Sequence, residues 1–410
     1  MAAPRRVLFL NDTARNGGPG RSLHAILSFL DPAEVHRMVL LPREDAIARL
    51  LRASHVADEI IIEPDLVENA FQPLHRAVER ADLDAPWSLR GPRLAANVGR
   101  MVRLAGTLPR LLRARGVELV YCNGTTADFV GGVAGNLTRT PVLWHVRYTS
   151  VPDTTRPLHR ALARSRWVRR IVCVSHASAA LFPDVPAKVA VVHNAVDVER
   201  YRRGATAGCV RGAKVPDDAF LYGSMGRILP RKGYPQMIRA ARELLDRCPE
   251  SERHRPYFVV LGDTPADLPG DHLEECRALV RELGLEGRFL FPGFTEDVRP
   301  WLEDFDVVVL PSVYPDPLPR TVIEGMAYER PVVAFDVGGV GEMVRDGVTG
   351  TLLPPEPSPE SFAAAMLGYL TDPAKRTREG VAARAAVIEG FGGVAHGRAI
   401  QREIDAALRG

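Results

Sequence analysis

Two loops of this 410-residue chain carry cations and acids at spacings suited to gripping a phosphate ester. The run Gly223-Ser224-Met225-Gly226-Arg227-Ile228-Leu229-Pro230-Arg231-Lys232-Gly233 leaves an apolar strand and enters a helical stretch. Arg227 and Lys232 therefore fall on the connecting loop at a strand's carboxyl end, where a guanidinium fork and an ammonium point charge together suit a diphosphate. A second loop, Pro311 to Pro319, follows the apolar residues ending at Leu310 and leads into a helix whose first turn holds Arg320 and Thr321. Proline is favourable at such a start, and the open N–H groups of Arg320 and Thr321, backed by the helix dipole, form an anion site. Glu324 lies one turn further in, where a carboxylate can accept hydrogen bonds from ribose hydroxyls, and Asp316 stands eight residues before it on the loop. Near the N-terminus, Asn16-Gly17-Gly18-Pro19-Gly20 separates a strand from a helical stretch, so that a phosphate or sugar can approach the backbone. Each signal alone has a plain alternative, a solvated basic loop or a tight turn. No third glycine completes a dinucleotide fingerprint, and no Gly-Lys is followed by Ser or Thr as a P-loop requires.

Such loops need a scaffold. Short β-branched runs alternate with amphipathic helical stretches, the pattern of parallel sheets built from βαβ units. Strands are expected at residues 6–10, 37–41, 118–121, 141–145, 170–174 and 189–192, then at 220–225, 257–261, 289–291, 307–310 and 331–335. Helices are expected between them, among others at 234–247, 273–283 and 319–328, and residues 202–218 read as an interdomain connection. The architecture expected is α/β, two doubly wound domains facing each other across a cleft, with ligands outside the carboxyl ends of the strands.

Composition agrees with two domains. Hydrophobic residues make up 46% and charged residues 25%, which excludes disorder, collagen and a disulfide scaffold. No apolar run reaches the roughly 18 residues of a membrane span, and the apolar stretch after Arg6 stops at Asn11, too short for a signal peptide. Five scattered cysteines, none at metal-ligand spacing, fit a reducing cytoplasm. Residues 1–195 carry 26 basic and 17 acidic residues, whereas residues 196–410 carry 27 and 33, so the overall +3 hides two unlike halves.

The residues resemble the family 4 glycosyltransferases of the GT-B fold. The marks run in order: Gly17-Gly18, Val174-Ser175, His193-Asn194-Ala195-Val196-Asp197, Gly226-Arg227 through Lys232-Gly233, Leu261-Gly262-Asp263 and Phe291-Pro292-Gly293-Phe294. Leu310-Pro311-Ser312, Ile323-Glu324-Gly325-Met326-Ala327, Pro331-Val332-Val333 and Asp346-Gly347-Val348-Thr349-Gly350 follow. The resemblance implies an acceptor-binding domain over 1–195 and a nucleotide-sugar-binding domain over 196–389, with a helix at about 390–410 returning to the first. It places the family's acidic pair on Asp316 and Glu324, although the first is more often Glu. Pro317-Leu318-Pro319 stands where Gly-Phe-Gly is usual, which removes two N–H donors and leaves Leu318, Arg320 and Thr321 to supply what remains. It further implies that Arg227 and Lys232 hold the donor's diphosphate, Glu324 its ribose, and the backbone around Phe294 and Thr295 its base. His145, in Trp144-His145-Val146-Arg147 at a strand end, would lie beside the reacting sugar.

The reaction so implied is retaining transfer of a sugar from a nucleotide-diphosphate sugar to an acceptor hydroxyl. Arg227, Lys232 and the helix N-terminus would stabilise the departing diphosphate, Asp316 would orient the sugar, and neither metal nor cofactor is expected. Asp304-Phe305-Asp306 looks like a metal-binding Asp-x-Asp but leads into a buried strand. A nucleotide-sugar 2-epimerase or a sugar phosphorylase of the same fold, and a non-catalytic nucleotide-sugar-binding protein, are the competing readings. Two basic amphipathic stretches, 84–115 with seven arginines and 156–170 with six, could dock on anionic membrane lipid to reach a lipid-linked acceptor, or could simply be solvated helices. No nucleic-acid-binding module is present.

Overall fold

The computed structural model describes residues 3–13, 18–68, 70, 87–264 and 270–409. The chain divides into two compact units, Met1–Ala195 with Gly393–Gly410, and Val196–Gly392.

In the first unit the described strands are β1 (Arg5–Asn11), β2 (Val35–Leu41), β3 (Glu59–Ile62), β4 (Leu119–Asn123), β5 (Val142–Val146), β6 (Val168–Cys173) and β7 (Val189–Val191). They form one parallel sheet in the order β3-β2-β1-β4-β5-β6-β7. A parallel sheet covered on both faces needs strands apolar on both sides, and Val7, Leu8 and Phe9 are each 0% exposed. Leu8, Val120 and Trp144 share a core with Leu104, Leu108 and Leu112 of the 87–114 helix and with Phe129 and Val130 of the Thr125–Thr138 helix. Val7, Phe9, Tyr121 and Leu143 pack with Leu23, Ile26 and Leu27 of the Gly18–Phe29 helix and with Ile400 and Ile404 of the Gly393–Arg409 helix.

The second unit holds β8 (Phe220–Met225), β9 (Pro256–Leu261), β10 (Phe289–Gly293), β11 (Val307–Leu310), β12 (Val332–Phe335) and β13 (Gly350–Leu353), again parallel, in the order β10-β9-β8-β11-β12-β13. Phe220, Tyr222 and Phe258 bury one face against Met237 and Leu244 of the Tyr234–Arg247 helix and against Phe362 and Met366. In both units the strand order reverses beside the first strand, at β1/β4 and at β8/β11, which is where such sheets open a crevice at their carboxyl ends.

Three details depart from the sequence expectation. The edge strands β3 and β13 were not anticipated. Residues 202–218 belong within the second unit and do not connect the two. Val210 is 0% exposed and gives its N–H to Asp304 Oδ2 at 2.6 Å, and Gly204 gives its N–H to Glu303 Oε2 at 2.8 Å. A Gly- and Pro-containing loop pinned by carboxylates has the same composition as a linker. The Asp-x-Asp pair is explained by these bonds too, since Asp306 Oδ2 accepts from Leu221 N at 2.9 Å and Arg211 Nη2 at 2.6 Å. Among the described residues no helix is long and apolar enough to cross a membrane.

Candidate functional site

In the second unit the loop after β8 passes through Arg227, which is exposed, and a short 3-10 turn at Pro230–Lys232 before the helix begins. Gly233 makes the join possible. Its φ is 70°, and a Cβ there would lie 1.7 Å from the Pro311 carbonyl oxygen, so only glycine lets the two loops lie this close. The loop after β11 is stitched to the first: Val313 N–H donates to Arg231 O at 3.1 Å, and the Arg231 guanidinium sits 5.1 Å over the Tyr314 ring. Lys232 Nζ is thereby brought 2.5 Å from Asp316 Oδ2, with side chains 18% and 16% exposed.

The Arg320–Ala327 helix starts against the end of β8, where Thr321 Oγ1 donates to Met225 O at 3.2 Å. Glu324 is 3% exposed and meets Arg320 Nε at 3.3 Å. Each acid of the expected pair therefore rests on a cation of its own. Leu318 is 3% exposed, so only its backbone can face a ligand. Phe294 stands apart on the loop after β10, 56% exposed, its N–H held by Asp263 Oδ2 at 2.8 Å, and Thr295 Oγ1 donates to Asp297 O at 2.9 Å.

The first unit gathers a different set at its strand ends. Gly17 lies outside the described residues. Gly18 opens its helix, with nothing within 4 Å of where a Cβ would stand. His145, near the end of β5, is 0% exposed, and its Nδ1 is bonded by the Tyr121 hydroxyl. Arg147 reaches back over the sheet edge, with Nε 2.6 Å from Asn123 Oδ1, Nη1 2.6 Å from Asn194 Oδ1 and Nη2 3.4 Å from His145 Nδ1. Asn123 donates in turn to Asn11 Oδ1 at 2.5 Å and to Pro19 O at 3.2 Å. Burial, followed by the Arg147 charge, holds the His145 imidazole well below its ordinary pKa, so it is neutral.

Sequence reasoning missed Tyr121, Asn123 and the role of Arg147, and it missed two buried acids. Asp12, just past β1, is 8% exposed and accepts from Thr126 N at 2.8 Å and Ala127 N at 3.4 Å at the start of the Thr125–Thr138 helix; burial pushes its pKa up to about 7. Asp128 accepts from Tyr148 Oη at 2.8 Å, and burial raises its pKa well above the usual carboxylate range. The one advance signal for this set was the crowding of Asn, Asp and His at strand ends. Among the described residues, no three His, Cys, Asp or Glu side chains gather as a metal-binding group.

Residues 211–386 match the family model of glycosyl transferases group 1, and residues 62–200 that of glycosyltransferase family 4. A D-inositol 3-phosphate glycosyltransferase of Kribbella flavida is 36% identical over 211 residues, 51% of this chain and 49% of that one. A protein of the same name from Streptomyces scabiei is 30% identical over 294 residues, 67% of this chain and 65% of its own. The match thus spans about half the length of the first of these relatives. Among solved structures, HepE of Anabaena in complex with UDP and glucose superposes with a TM-score of 0.77 at 23% identity, covering 97% of this chain and 99% of that one. Sucrose-phosphate synthase of Thermosynechococcus elongatus does so with a TM-score of 0.72 at 18% identity, covering 98% and 100%. At such identities the likeness speaks to the fold.

Proposed function

The chain belongs to the family 4 glycosyltransferases and has their two-domain α/β GT-B fold, and on that premise we propose that it moves a hexosyl group from a nucleotide-diphosphate sugar to an acceptor hydroxyl with retention of configuration. The observation that carries the proposal is the Lys232–Asp316 pair at 2.5 Å, set where the strand order reverses at β8 and β11. At rest the ammonium and carboxylate satisfy each other. An arriving diphosphate competes for the ammonium and frees Asp316 for the hydroxyls of the sugar. Arg227 and the N-terminus of the Arg320–Ala327 helix add fixed positive potential where charge builds on the departing diphosphate, so the chemistry calls for no metal. Glu324 exchanges Arg320 for ribose hydroxyls, and the backbone at Phe294 and Thr295 meets the base. The leaving phosphate itself takes the acceptor's proton.

Solved structures of HepE hold UDP, UDP with glucose, and UDP-glucose, which makes UDP-sugars the first donors to try. The relatives' name makes D-inositol 3-phosphate the first acceptor. The test is release of nucleoside diphosphate from UDP-, GDP- and ADP-hexoses with acceptor, with the product anomer read by NMR. Release without any acceptor would favour an epimerase, release that depends on inorganic phosphate a phosphorylase, and none from any donor would defeat the proposal.

Contact with an anionic membrane is the finer part of the proposal. The Arg156–Arg164 helix exposes Leu158 (51%), and the Trp87–Ala114 helix exposes Val102 (65%). Acids from elsewhere already answer several arginines: Asp65 meets Arg100 and Arg103, Asp153 meets Arg156, and Asp184 meets Arg160 and Arg164. Co-sedimentation that is equal with neutral and anionic liposomes would remove this part alone.

A further inference from the structure

At the amino ends of the first sheet, away from the crevice, arginines from four separate segments converge. A cavity of about 400 Å³ is lined there by Arg5, Arg139, Arg169 and Arg409, with Glu118 as its one acid. Arg5 opens β1, Glu118 precedes β4, Arg139 lies between the Thr125–Thr138 helix and β5, Arg169 is in β6, and Arg409 ends the last helix. Since β1, β4, β5 and β6 are neighbours in the sheet, their starts form one continuous floor. β1 runs seven residues at about 3.3 Å each, so the cavity lies about 20 Å from the carboxyl ends of these strands.

The positive charge is not answered from within the cavity. Glu118 is already taken, Oε1 accepting from Arg5 Nη1 at 2.8 Å and Oε2 from the Arg6 N–H at 2.9 Å. Arg169 Nη1 donates to Ala407 O at 2.9 Å and to Leu408 O at 3.3 Å, which fixes its guanidinium on the end of the last helix without meeting a carboxylate. Arg139 and Arg409 are exposed and have no acid partner among the described residues. Elsewhere in this unit Asp65 and Asp184 each answer two arginines, so abundance of arginine does not by itself leave cations unmatched. Arg139 is also held at a φ of 62°, its N–H donating to Gly135 O at the helix end. Glycine or asparagine is favoured in that left-handed conformation, so a guanidinium is placed there against the preference of the backbone. We infer that this cavity is a second anion site, taking a small, multiply charged phosphate compound such as a diphosphate, whose terminal oxygens suit guanidinium forks. It belongs to the first unit, whereas Arg227 and Lys232 belong to the second, and it does not rest on the glycosyl-transfer proposal.

Pyrophosphate is the probe, titrated into the full chain by calorimetry, with hydrogen exchange and mass spectrometry reading where it binds. Slower exchange is expected in peptides covering residues 138–142 and 404–409. Protection confined to the 223–233 loop would put the anion at the donor site alone and overturn the inference. Arg139→Gln and Arg409→Gln each remove a charged donor and are expected to weaken this binding about tenfold; unchanged affinity in both would overturn it. Arg139→Gly separates ligand from fold. Without ligand its Tm is expected to rise by about 2 °C, because glycine suits the left-handed backbone, while pyrophosphate binds about tenfold more weakly. A variant that melts lower and binds as the parent does would mean that Arg139 serves the fold and no ligand. Sulfate bound as tightly as pyrophosphate would mark an adventitious ion only. Anionic vesicles that protect these peptides where pyrophosphate does not would make the surface a lipid contact and overturn the small-ligand reading, as would no protection from either. None of these readouts needs turnover, so failure of every sugar donor would sink the glycosyl-transfer proposal alone.

Discussion

Lys232→Met keeps the aliphatic stem and deletes the charge, so it isolates what the ammonium does. Nζ lies 2.5 Å from Asp316 Oδ2, in side chains 18% and 16% exposed. A unit charge about 4 Å from another is worth about 4 kcal/mol at an effective dielectric of about 20, an upper bound for what Lys232 offers a departing diphosphate. Part of this is already realised at rest, because Asp316 holds the same ammonium. The differential left for the transition state is then about 2.7 kcal/mol, or about 100-fold in kcat. Stability follows another rule. Losing the cation strands a partly buried carboxylate, at about 1–2 kcal/mol, and lowers the Tm by about 3–6 °C. Adding Asp316→Asn removes the stranded charge, so the double variant is expected to regain most of the Tm and none of the rate. Nucleoside diphosphate release and thermal denaturation on the same preparations read both. A Lys232→Met kcat within about threefold of the parent would refute the diphosphate assignment, and a double variant that recovered activity would refute the division between charge pairing and catalysis.

Three further outcomes follow from the geometry. Gly233→Ala puts a Cβ 1.7 Å from the Pro311 oxygen at a φ of 70°; a loss of about 2 kcal/mol or more, about 5 °C in Tm, is expected, and an unchanged Tm would contradict the packing of the two loops. Turnover is expected to be the same in excess EDTA, since side chains and a helix terminus supply the positive potential; activity lost to EDTA and restored by Mn²⁺ or Mg²⁺ would overturn that. Burial raises folded Asp12 to about 7 from 3.8, so the folded state keeps a proton that the unfolded state has lost, and the associated stability is full below about pH 4 and drains as pH rises through 7. Asp12→Asn lacks this dependence. Its Tm relative to the parent should therefore climb from pH 5 to pH 8, and a difference flat with pH would mean Asp12 is not buried as a neutral acid.

The sheets were legible because a strand buried on both faces must be apolar throughout, and runs such as Val7-Leu8-Phe9-Leu10 and Val307-Val308-Val309-Leu310 have few other uses. The edges were not: β3 is half-exposed and four residues long, and β13 is four residues with two of them partly exposed, too short and mixed to rise above loop. Residue type and strand-end position were enough to single out Lys232, Asp316, Arg320 and Glu324. What the sequence did not offer was their pairing. Lys232 and Asp316 are 84 positions apart, and their contact depends on β8 and β11 being neighbours, which follows from sheet order and not from either loop.

The same reasoning explains why Tyr121 was invisible. As a residue it is an aromatic in an apolar strand, with nothing to distinguish it from Phe9, whose ring centroid lies 4.9 Å away. Its hydroxyl acquires a task only because β4 and β5 are adjacent and in a register that sets Tyr121 on the His145 face. A slip of one residue would turn it to the opposite face, where Cys122 and Trp144 pack against the Thr125–Thr138 helix. The motif around His145 names a ring that could act, whereas the register of a strand 24 residues earlier decides which of its two nitrogens meets a phenol. Chemistry at a strand end is therefore written in two places, in the loop that carries the side chain and in the neighbouring strand that orients it, and a reading confined to loops recovers the first without the second.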